Sequence, residues 1–288
     1  MTTLYITGAG VSADSGIPTF RGNDGYWTIG SRNYTPQEMA TRAMYLNDPA
    51  QFLLWYYNRF AAYRHVEPNI VHHWLAAKCN GTGDASSVVG GTGAARLITQ
   101  NIDGLDAKAG HADYISIHGR LHMMTVLHDQ AIWDNDPAAA QDAVPLIAAP
   151  WDEVAKLVDG SGGEADDTVL KRALLEICRI PAAGPEMGVS LKPYVLLFDE
   201  YYTELYRMRE AETWMYDASR MVFMGTSFSV NITAIALRVA VQRGIAIELV
   251  DPAPIDLEAN FGIPAGMADI TYHRMPAQEW VKTGINIR

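Results

Sequence analysis

Cysteine is nearly absent from this chain of 288 residues, in which Cys79 and Cys178 are the only two. Two cysteines so far apart in the sequence exclude a disulfide scaffold and a CxxC metal knuckle. The scarcity of cysteine also fits a reducing compartment, so a cytoplasmic location is expected.

Long apolar runs and an excess of basic residues are missing as well. No uninterrupted apolar run approaches the ~20 residues of a membrane helix, and the chain does not open on a basic segment followed by an apolar stretch. The 22 Lys and Arg residues against 33 Asp and Glu residues give a net charge of -11, which does not attract nucleic-acid phosphates. We therefore expect neither a membrane nor a nucleic acid as a partner.

Short apolar segments alternate with helical stretches along the chain. The first strand candidate, residues 4–7, runs directly into a turn of Gly8, Ala9 and Gly10. Further strand candidates are residues 96–99, 114–117, 194–198, 221–224 and 245–250, and helices are expected at 49–65, 68–78, 203–218 and 232–243. Because several strands end at Gly, Asn or Asp, the sequence predicts an α/β protein with a Rossmann-type doubly wound parallel sheet.

Two aromatic or irregular stretches do not follow this alternation. They predict a smaller inserted domain, mainly helical, formed by residues 22–66 and 120–191. The Rossmann-type domain would then consist of residues 1–21, 67–119 and 192–288.

A glycine-rich turn between a strand and a helix suits close approach to a pyrophosphate, although such a turn alone is often structural. Here the turn continues as GAGVSADSGIPTFRG from Gly8, which resembles the NAD-binding signature of the sirtuin family. The segments PNIVHHWL, TQNIDGLDAKAG, IHGRL, KPYVLLFDE and MGTSFSV follow in the order that sirtuins show. The resemblance covers nearly the whole chain and implies an enzyme that consumes NAD as a co-substrate.

The resemblance assigns catalytic roles to three polar residues. His118 is the expected general base, since an imidazole titrates near neutral pH and can take a proton from a ribose hydroxyl. Asn101 would orient the ribose or a water molecule. Asp103, together with Ile102, would hold the nicotinamide amide.

The resemblance also implies two turns and a loop around NAD. Phe20 and Ile17 would give apolar cover, and Arg21 would lie on the cofactor loop near the phosphates. Asp251 stands where sirtuins usually have Asn, and its carboxylate can bind the hydroxyls of the adenosine ribose. The expected cofactor-binding residues are Gly8, Ala9, Gly10, Ser12, Asp14, Ile17, Phe20, Arg21, Gln100, Ile102, Gly225, Thr226, Ser227 and Asp251.

The chain departs from the family at the structural zinc. Most sirtuins hold zinc with two cysteine pairs between the HG and KP motifs, whereas this chain has only Cys178 there. His122 and His128 lie in the same region without paired spacing. We therefore predict that the protein binds no metal.

The acyl-peptide groove is a second departure. In deacylating sirtuins the peptide lies as a strand beside an FGE segment, here Phe198, Asp199 and Glu200. The aspartate adds a Cβ atom and a charge where a peptide should approach closely. Val195, Phe198 and Glu200 are the residues expected to contact the peptide.

Tyr56 and Arg59 stand three apart on a predicted helix, which places both on one face. The stretch resembles the Tyr-x-x-Arg pair with which some sirtuins bind the carboxylate of succinyl- or malonyl-lysine. Tyr57 offers a competing register. The alternative is an aromatic face packed in the small domain, with Arg59 in solvent.

Three functions remain open from the sequence. The first is an NAD-dependent protein lysine deacylase, a deacetylase that could also act on acidic acyl groups. It would release nicotinamide and O-acyl-ADP-ribose. The second is an NAD glycohydrolase or an ADP-ribosyltransferase, which would act with water or another ADP-ribose acceptor. The third, a non-catalytic NAD-binding module, is disfavoured because Asn101, Asp103 and His118 are all present.

Overall fold

The structure is a computed structural model that describes residues 1–18, 27–29, 32–81, 94–127, 146–160, 166–179 and 190–286. The strands are β1 (Thr3–Thr7), β2 (Trp27–Ile29), β3 (Arg32–Tyr34), β4 (Ala95–Thr99), β5 (Ile115–Ser116), β6 (Gly119–Thr125), β7 (Ile147–Ala148), β8 (Lys192–Val195), β9 (Arg220–Met224), β10 (Ala246–Val250) and β11 (Ile270–His273). The helices are α1 (Pro36–Met39), α2 (Arg42–Asn47), α3 (Pro49–Tyr63), α4 (Ile70–Cys79), α5 (Leu105–Lys108), α6 (Trp151–Gly160), α7 (Asp167–Ile177), α8 (Met208–Asp217), α9 (Asn231–Arg243), α10 (Leu257–Phe261) and α11 (Ala277–Asn286). In the part of the chain that the structure describes, 3₁₀ helices cover Ala9–Ser15 and Glu204–Tyr206. In these ranges, no helix combines the length and the apolar character that crossing a membrane requires.

Residue contacts divide the chain into two compact units. The first comprises Met1–Gly22, Val66–Ile117 and Arg207–Arg288, and the second comprises Asn23–His65 and His118–Tyr206. The domain limits expected from the sequence place residues 192–206 in the sheet domain, whereas the contacts group these residues with the second unit. The expected limits stay a prediction.

The first unit is built on a six-stranded sheet in the order β11-β10-β9-β1-β4-β5. All of its strand pairs are parallel, and Thr7 at the end of β1 aligns with Thr99 of β4 and Met224 of β9. The chain runs outward from β1 through β4 to β5 and then returns to β9 on the other side. The prediction of a Rossmann-type doubly wound sheet is confirmed.

Apolar side chains from the sheet and its flanking helices form the core of this unit. Leu4 and Ile6 of β1 are completely buried, as expected for a strand covered on both faces. One core cluster joins the sheet with the 3₁₀ helix, α4 and α11. Its members are Tyr5, Val11, Val71, Leu75, Leu97, Tyr114, Val222, Met224, Val250, Ala277 and Val281.

The second unit combines helices with a small antiparallel sheet. Helix α3 is buried on most of its surface, which is typical of a central helix in a helical layer. Trp151 of α6 stacks on Phe60 of α3 at 5.9 Å, and its indole Nε1 donates to Leu121 O of β6 at 2.8 Å. The sheet order is β7-β6-β8, and β2 and β3 form a separate antiparallel pair.

Two sequence expectations about the strands need correction. The segment 194–198 was expected as a strand of the parallel sheet, but β8 ends at Val195 and pairs antiparallel with β6. This prediction is wrong because an apolar run indicates a buried strand without indicating its partner. The expectation of a mainly helical small domain also omitted the sheet that β8 completes.

Candidate active site

The expected cofactor residues of the first unit follow strands of the parallel sheet. The turn of Gly8 to Gly10 follows β1, the segment from Gln100 to Asp103 follows β4, and Gly225 follows β9. Asp251 follows β10. Ligands of doubly wound sheets bind at the carboxyl ends of the strands, where the strand order reverses. The β1 and β9 turns occupy that position here.

The turns after β1 and β9 meet backbone to backbone. Gly10 N donates to Gly225 O at 2.9 Å, and Gly8 N donates to Met224 O at 3.0 Å. A Cβ atom added to Gly10 would lie 2.6 Å from Gly225 Cα, and Gly225 itself has a φ of +58°. These glycines are therefore required by the contact between the two turns, whatever ligand binds above them.

Ser12 is the centre of a hydrogen-bond network that includes two of the expected catalytic residues. Its hydroxyl donates to Asp103 Oδ2 at 2.7 Å and accepts from Asn101 Nδ2 at 3.1 Å. Asn101 Nδ2 also donates to Gly8 O at 3.2 Å. The structure thus brings Ser12, Asn101 and Asp103 together, although they lie up to 91 residues apart.

His72 is a further member of this network, and the sequence analysis did not single it out. Its Nδ1 accepts the backbone N–H of Asn69 at 3.2 Å, so a neutral ring carries its proton on Nε2. Nε2 lies 3.4 Å from Ser12 Oγ, which then accepts from His72 and Asn101 while donating to Asp103. Burial lowers the pKa of His72 to about 4, so the ring is neutral at physiological pH.

Asn69 explains why His72, and not the neighbouring His73, faces the network. The Asn69 side chain caps α4 by accepting from Val71 N at 2.9 Å, and it donates to Val11 O at 2.8 Å. This contact fixes the start of α4 against the 3₁₀ helix. The signal in the sequence was the PNIVHHWL segment, in which a helix-capping Asn precedes a histidine by three positions.

Two more buried titratable residues, Asp106 and His111, follow Asp103 in the chain. The Asp103 pKa is raised by burial, against the hydrogen bonds from Leu105 N and Ser12. Burial, and then the charge of Asp103, raises the pKa of Asp106 to about 7. His111 Nε2 lies 3.8 Å from Asp106 Oδ1, and burial lowers the pKa of His111 to about 4. Among the described residues, Asp106 Oδ1 and both ring nitrogens of His111 have no hydrogen-bond partner.

The remaining cofactor candidates occupy the same edge of the sheet or lie outside the described residues. Gln100 Nε2 donates to Thr7 O and to Thr226 Oγ1, both at 3.1 Å, and Asp251 Oδ1 accepts from Ala253 N at 2.9 Å. Ser227 Oγ lies 2.7 Å from Ser229 Oγ. The other positions are Ala9 and Asp14 in the 3₁₀ helix, buried Ile17, half-buried Ile102, and Phe20 and Arg21, which lie outside the described residues.

His118, the expected general base, is the first residue of the later segment of the second unit. Its backbone oxygen accepts from Leu196 N at 3.0 Å, and its Nε2 lies 3.0 Å from Tyr202 Oη. Gly119 follows with a φ of +84°, and an added Cβ atom would clash with Tyr194 O of β8. The glycine after His118 is therefore required by the close approach of β6 and β8.

The residues expected to contact a peptide have different environments. Val195 is buried in β8, and the Phe198 ring is exposed. Glu200 is bonded within the unit: Arg42 Nη1 donates to its Oε1 at 3.0 Å, and Leu197 N donates to its Oε2 at 3.0 Å. Its carboxylate is thus engaged in contacts that hold the segment itself.

Tyr56 and Arg59 lie in the buried part of α3. The Tyr56 ring packs against Phe52 and Trp55, and its hydroxyl has no hydrogen-bond partner among the described residues. Arg59 is 7% exposed, with its guanidinium 4.4 Å from the centre of the Trp55 ring and hydrogen-bonded to Tyr63. The alternative expected from the sequence required Arg59 to lie in solvent, and the burial of Arg59 contradicts that part of it.

A metal site was not expected, and the described ranges contain no group of three or more His, Cys, Asp or Glu residues placed to hold one. Cys178 is completely buried and His128 lies outside these ranges. The absence of zinc from the protein stays a prediction.

Comparison with known proteins decides the family. A model described as the Sir2 family matches residues 8–232. The chain belongs to the Sir2 family.

Individual members of the Sir2 family align over most of this chain. It is 30% identical over 253 residues to NAD-dependent protein deacylase 1 of Pseudomonas aeruginosa, covering 88% of this chain and 83% of that protein. A solved triple mutant of a Sir2 homologue with 2'-O-acetyl ADP ribose matches with a TM-score of 0.66 and 26% identity, over 99% of this chain and 90% of that one. A Sir2 homolog–NAD complex matches with a TM-score of 0.66 and 25% identity, over 99% and 88%.

Proposed function

We propose that this chain is an NAD-dependent protein lysine deacylase. It consumes NAD and one water molecule, transfers the acyl group of an acyl-lysine to ADP-ribose, and releases nicotinamide, O-acyl-ADP-ribose and the peptide with a free lysine. Family membership and the relative named as a deacylase support this proposal. The observation that carries it is the network in which Ser12 joins Asn101 and Asp103 at the carboxyl edge of the sheet.

The network suits the opening step of this reaction. Breaking the bond between nicotinamide and ribose develops positive charge at C1′, which requires a carboxamide held firmly in one orientation. The Asp103 carboxylate is fixed by Ser12 and by Leu105 N, and it can accept the N–H of the carboxamide. Asn101 is fixed by Gly8 O and Ser12.

The later step requires a base. After nicotinamide has left and the acyl oxygen has bonded to C1′, a ribose hydroxyl must lose its proton in order to attack the acyl carbon. In this proposal His118 accepts that proton. The cofactor residues expected from the sequence, the absence of zinc and a cytoplasmic location belong to the same proposal.

Mass spectrometry of the products from NAD, with and without an acetyl-lysine peptide, tests the function. O-acyl-ADP-ribose formed only with peptide supports a deacylase, whereas ADP-ribose formed without peptide indicates an NAD glycohydrolase. An ADP-ribosylated acceptor indicates a transferase. The His118→Ala variant should lose ~10²- to 10⁴-fold in turnover. The control His73→Ala changes an exposed histidine and should match the parent.

We further propose an acidic acyl group as a substrate, because of the environment of Tyr56 and Arg59. The buried Tyr56 hydroxyl has no hydrogen-bond partner among the described residues, which is costly unless a ligand compensates it, and the buried Arg59 stands three residues away on the same helix. The carboxylate of succinyl- or malonyl-lysine supplies acceptors for both groups. Arg59→Met would therefore weaken desuccinylation sharply and spare deacetylation.

The measurement is kcat/KM for matched acetyl and succinyl peptides. Arg64→Met is the control, since Arg64 ends the same helix and pairs with Asp159 at 3.6 Å. Equal losses of Arg59→Met on both peptides, or no succinyl preference in the parent, would refute the acidic subsite. Either result leaves the deacylase proposal intact.

A further inference from the structure

Tyr202 contacts the expected general base directly. Its hydroxyl lies 3.0 Å from His118 Nε2, which is hydrogen-bond distance. The two rings are nearly parallel, at 21°, with centroids 5.9 Å apart. A hydrogen bond and ring stacking together restrict the imidazole in both position and tilt.

His118 directly precedes β6, and Tyr202 lies in the segment that follows β8, the neighbouring strand of the same sheet. Gly119, directly after His118, pairs with Val195 at the end of β8, and Leu196 N donates to His118 O at 3.0 Å. Tyr202 lies a few residues beyond, in the segment that leaves β8. The position of Tyr202 relative to His118 therefore depends on how firmly that segment is held.

Two carboxylates hold the segment. Asp199 accepts from the backbone amides of Arg42 and Ala43, at 2.7 Å and 3.2 Å, and so caps the start of α2. Glu200 accepts from the Arg42 guanidinium at 3.0 Å, and its side chain is fully buried. Phe198 N donates to Ala40 O at 2.9 Å.

The segment is held on the far side of Tyr202 as well. Thr203 is buried, and its carbonyl accepts from Tyr206 N at 3.0 Å. Leu205 O accepts the hydroxyl of Tyr194, a residue of β8. Hydrogen bonds thus hold the segment on both sides of Tyr202.

A tyrosine hydroxyl has a chemical advantage as the partner of a general base. It can accept from Nε2–H of the neutral ring, which leaves the Nδ1 lone pair free to take the ribose proton, and the same Nε2–H bond remains in the imidazolium. An ammonium group has no lone pair and cannot accept this bond. The hydrogen bond to His118 therefore survives the change of protonation that base catalysis requires.

We propose that Tyr202 is a positioning residue that holds His118 in its catalytic orientation in both protonation states. The inference rests on the proposed function, because it assigns Tyr202 to the step in which His118 takes the ribose proton. Nicotinamide release precedes that step and does not need the base. Loss of the Tyr202 hydroxyl thus affects the two steps differently.

The test compares Tyr202→Phe with the parent and with Tyr201→Phe, a matched control on an exposed neighbour. Exchange of labelled nicotinamide into NAD, in the presence of acetyl-lysine peptide, reports the first step. Formation of O-acyl-ADP-ribose reports the second. We expect Tyr202→Phe to lower kcat for product formation ~10-fold, since one orienting hydrogen bond is lost, with nicotinamide exchange and the KM for NAD unchanged.

Equal losses of exchange and product formation, or no loss in either, would overturn the positioning role. An activity-independent measurement separates this outcome from failure of the proposed function. The ring nitrogen resonances of His118 in NMR should shift in Tyr202→Phe and not in Tyr201→Phe. A parent enzyme that forms no O-acyl-ADP-ribose refutes the deacylase, whereas unchanged His118 resonances in Tyr202→Phe refute the contact itself.

Discussion

The buried carboxyl group of Asp106 gives a prediction with a defined pH dependence. Asp106 is 2% exposed, close to Asp103, and 3.8 Å from a His111 ring that burial keeps neutral. Asp106→Asn replaces the carboxyl with a neutral group of the same shape. We expect the variant to be more stable than the parent at high pH.

The sign and the size follow from the pKa of Asp106. Burial raises this pKa from 3.8 to about 7 in the folded protein, so the folded state binds the proton more tightly than the unfolded state. The stability that protonated Asp106 contributes is therefore fully present below its pKa in the unfolded state. It is lost as pH rises through its pKa in the folded state. Between pH 5 and pH 8 this loss amounts to roughly 2 to 3 kcal/mol. An asparagine does not ionise, so the variant avoids the loss.

Urea unfolding of the parent and of Asp106→Asn at several pH values between 5 and 8 measures the effect. The control Asp217→Asn removes an exposed carboxylate of the same unit, paired with Arg96 at 3.3 Å. Its effect should stay within ~1 kcal/mol and vary little with pH. A variant less stable than the parent at pH 8, or a difference independent of pH, would show that Asp106 is charged and stabilised in the fold.

Three further predictions concern the network, a glycine and zinc. Ser12→Ala should lower kcat/KM at least ~10²-fold in the deacylase assay, because Asp103 loses one of the two donors that orient it. Gly119→Ala should lower the free energy of unfolding by more than ~2 kcal/mol, through the clash with Tyr194 O, as measured by urea unfolding. Gly110→Ala is its control: the φ is +88° but no atom lies within 4 Å of the added Cβ, so the cost should stay near ~1 kcal/mol. Elemental analysis should find less than one zinc per chain, and a chelator should leave the melting temperature unchanged.

Each of these predictions has a contrary outcome. Normal kcat/KM in Ser12→Ala would remove the network from catalysis. Equal costs of the two glycine substitutions would show that φ alone matters at Gly119. One tightly held zinc per chain would mean that ligands were overlooked, including those outside the described residues.

The parallel sheet could be predicted because its strands carry the signal within themselves. The segments at β1, β4, β9 and β10 are short apolar runs that end in Gly, Gln or Asp, and each proved to be a strand within a residue or two of the expected limits. The edge strand β11 was missed. Its residues are mostly half-buried, so its sequence lacks the apolar run on which the prediction depends.

The network around Ser12 shows which part of the candidate site could not be predicted from the sequence. Asn101 and Asp103 were named because a family motif contains them, but nothing in the sequence reports that Ser12 joins them. That contact exists because parallel pairing of β1 with β4 brings the turns after both strands together. His72 enters through α4, which is a third distant segment.

Asp199 is a second position whose role could not be predicted from the sequence. From the sequence, a charged side chain at this position was interpreted as an obstacle to a bound peptide. In the structure its carboxylate is bonded to the backbone amides of Arg42 and Ala43, and its charge lies at the start of α2, where it is favourable. This partner lies 157 residues away along the chain, so no local pattern could indicate it. Residues that differ from a family motif can thus serve the fold of the site, and the contact of Tyr202 with His118 depends on the turn that Asp199 helps to hold.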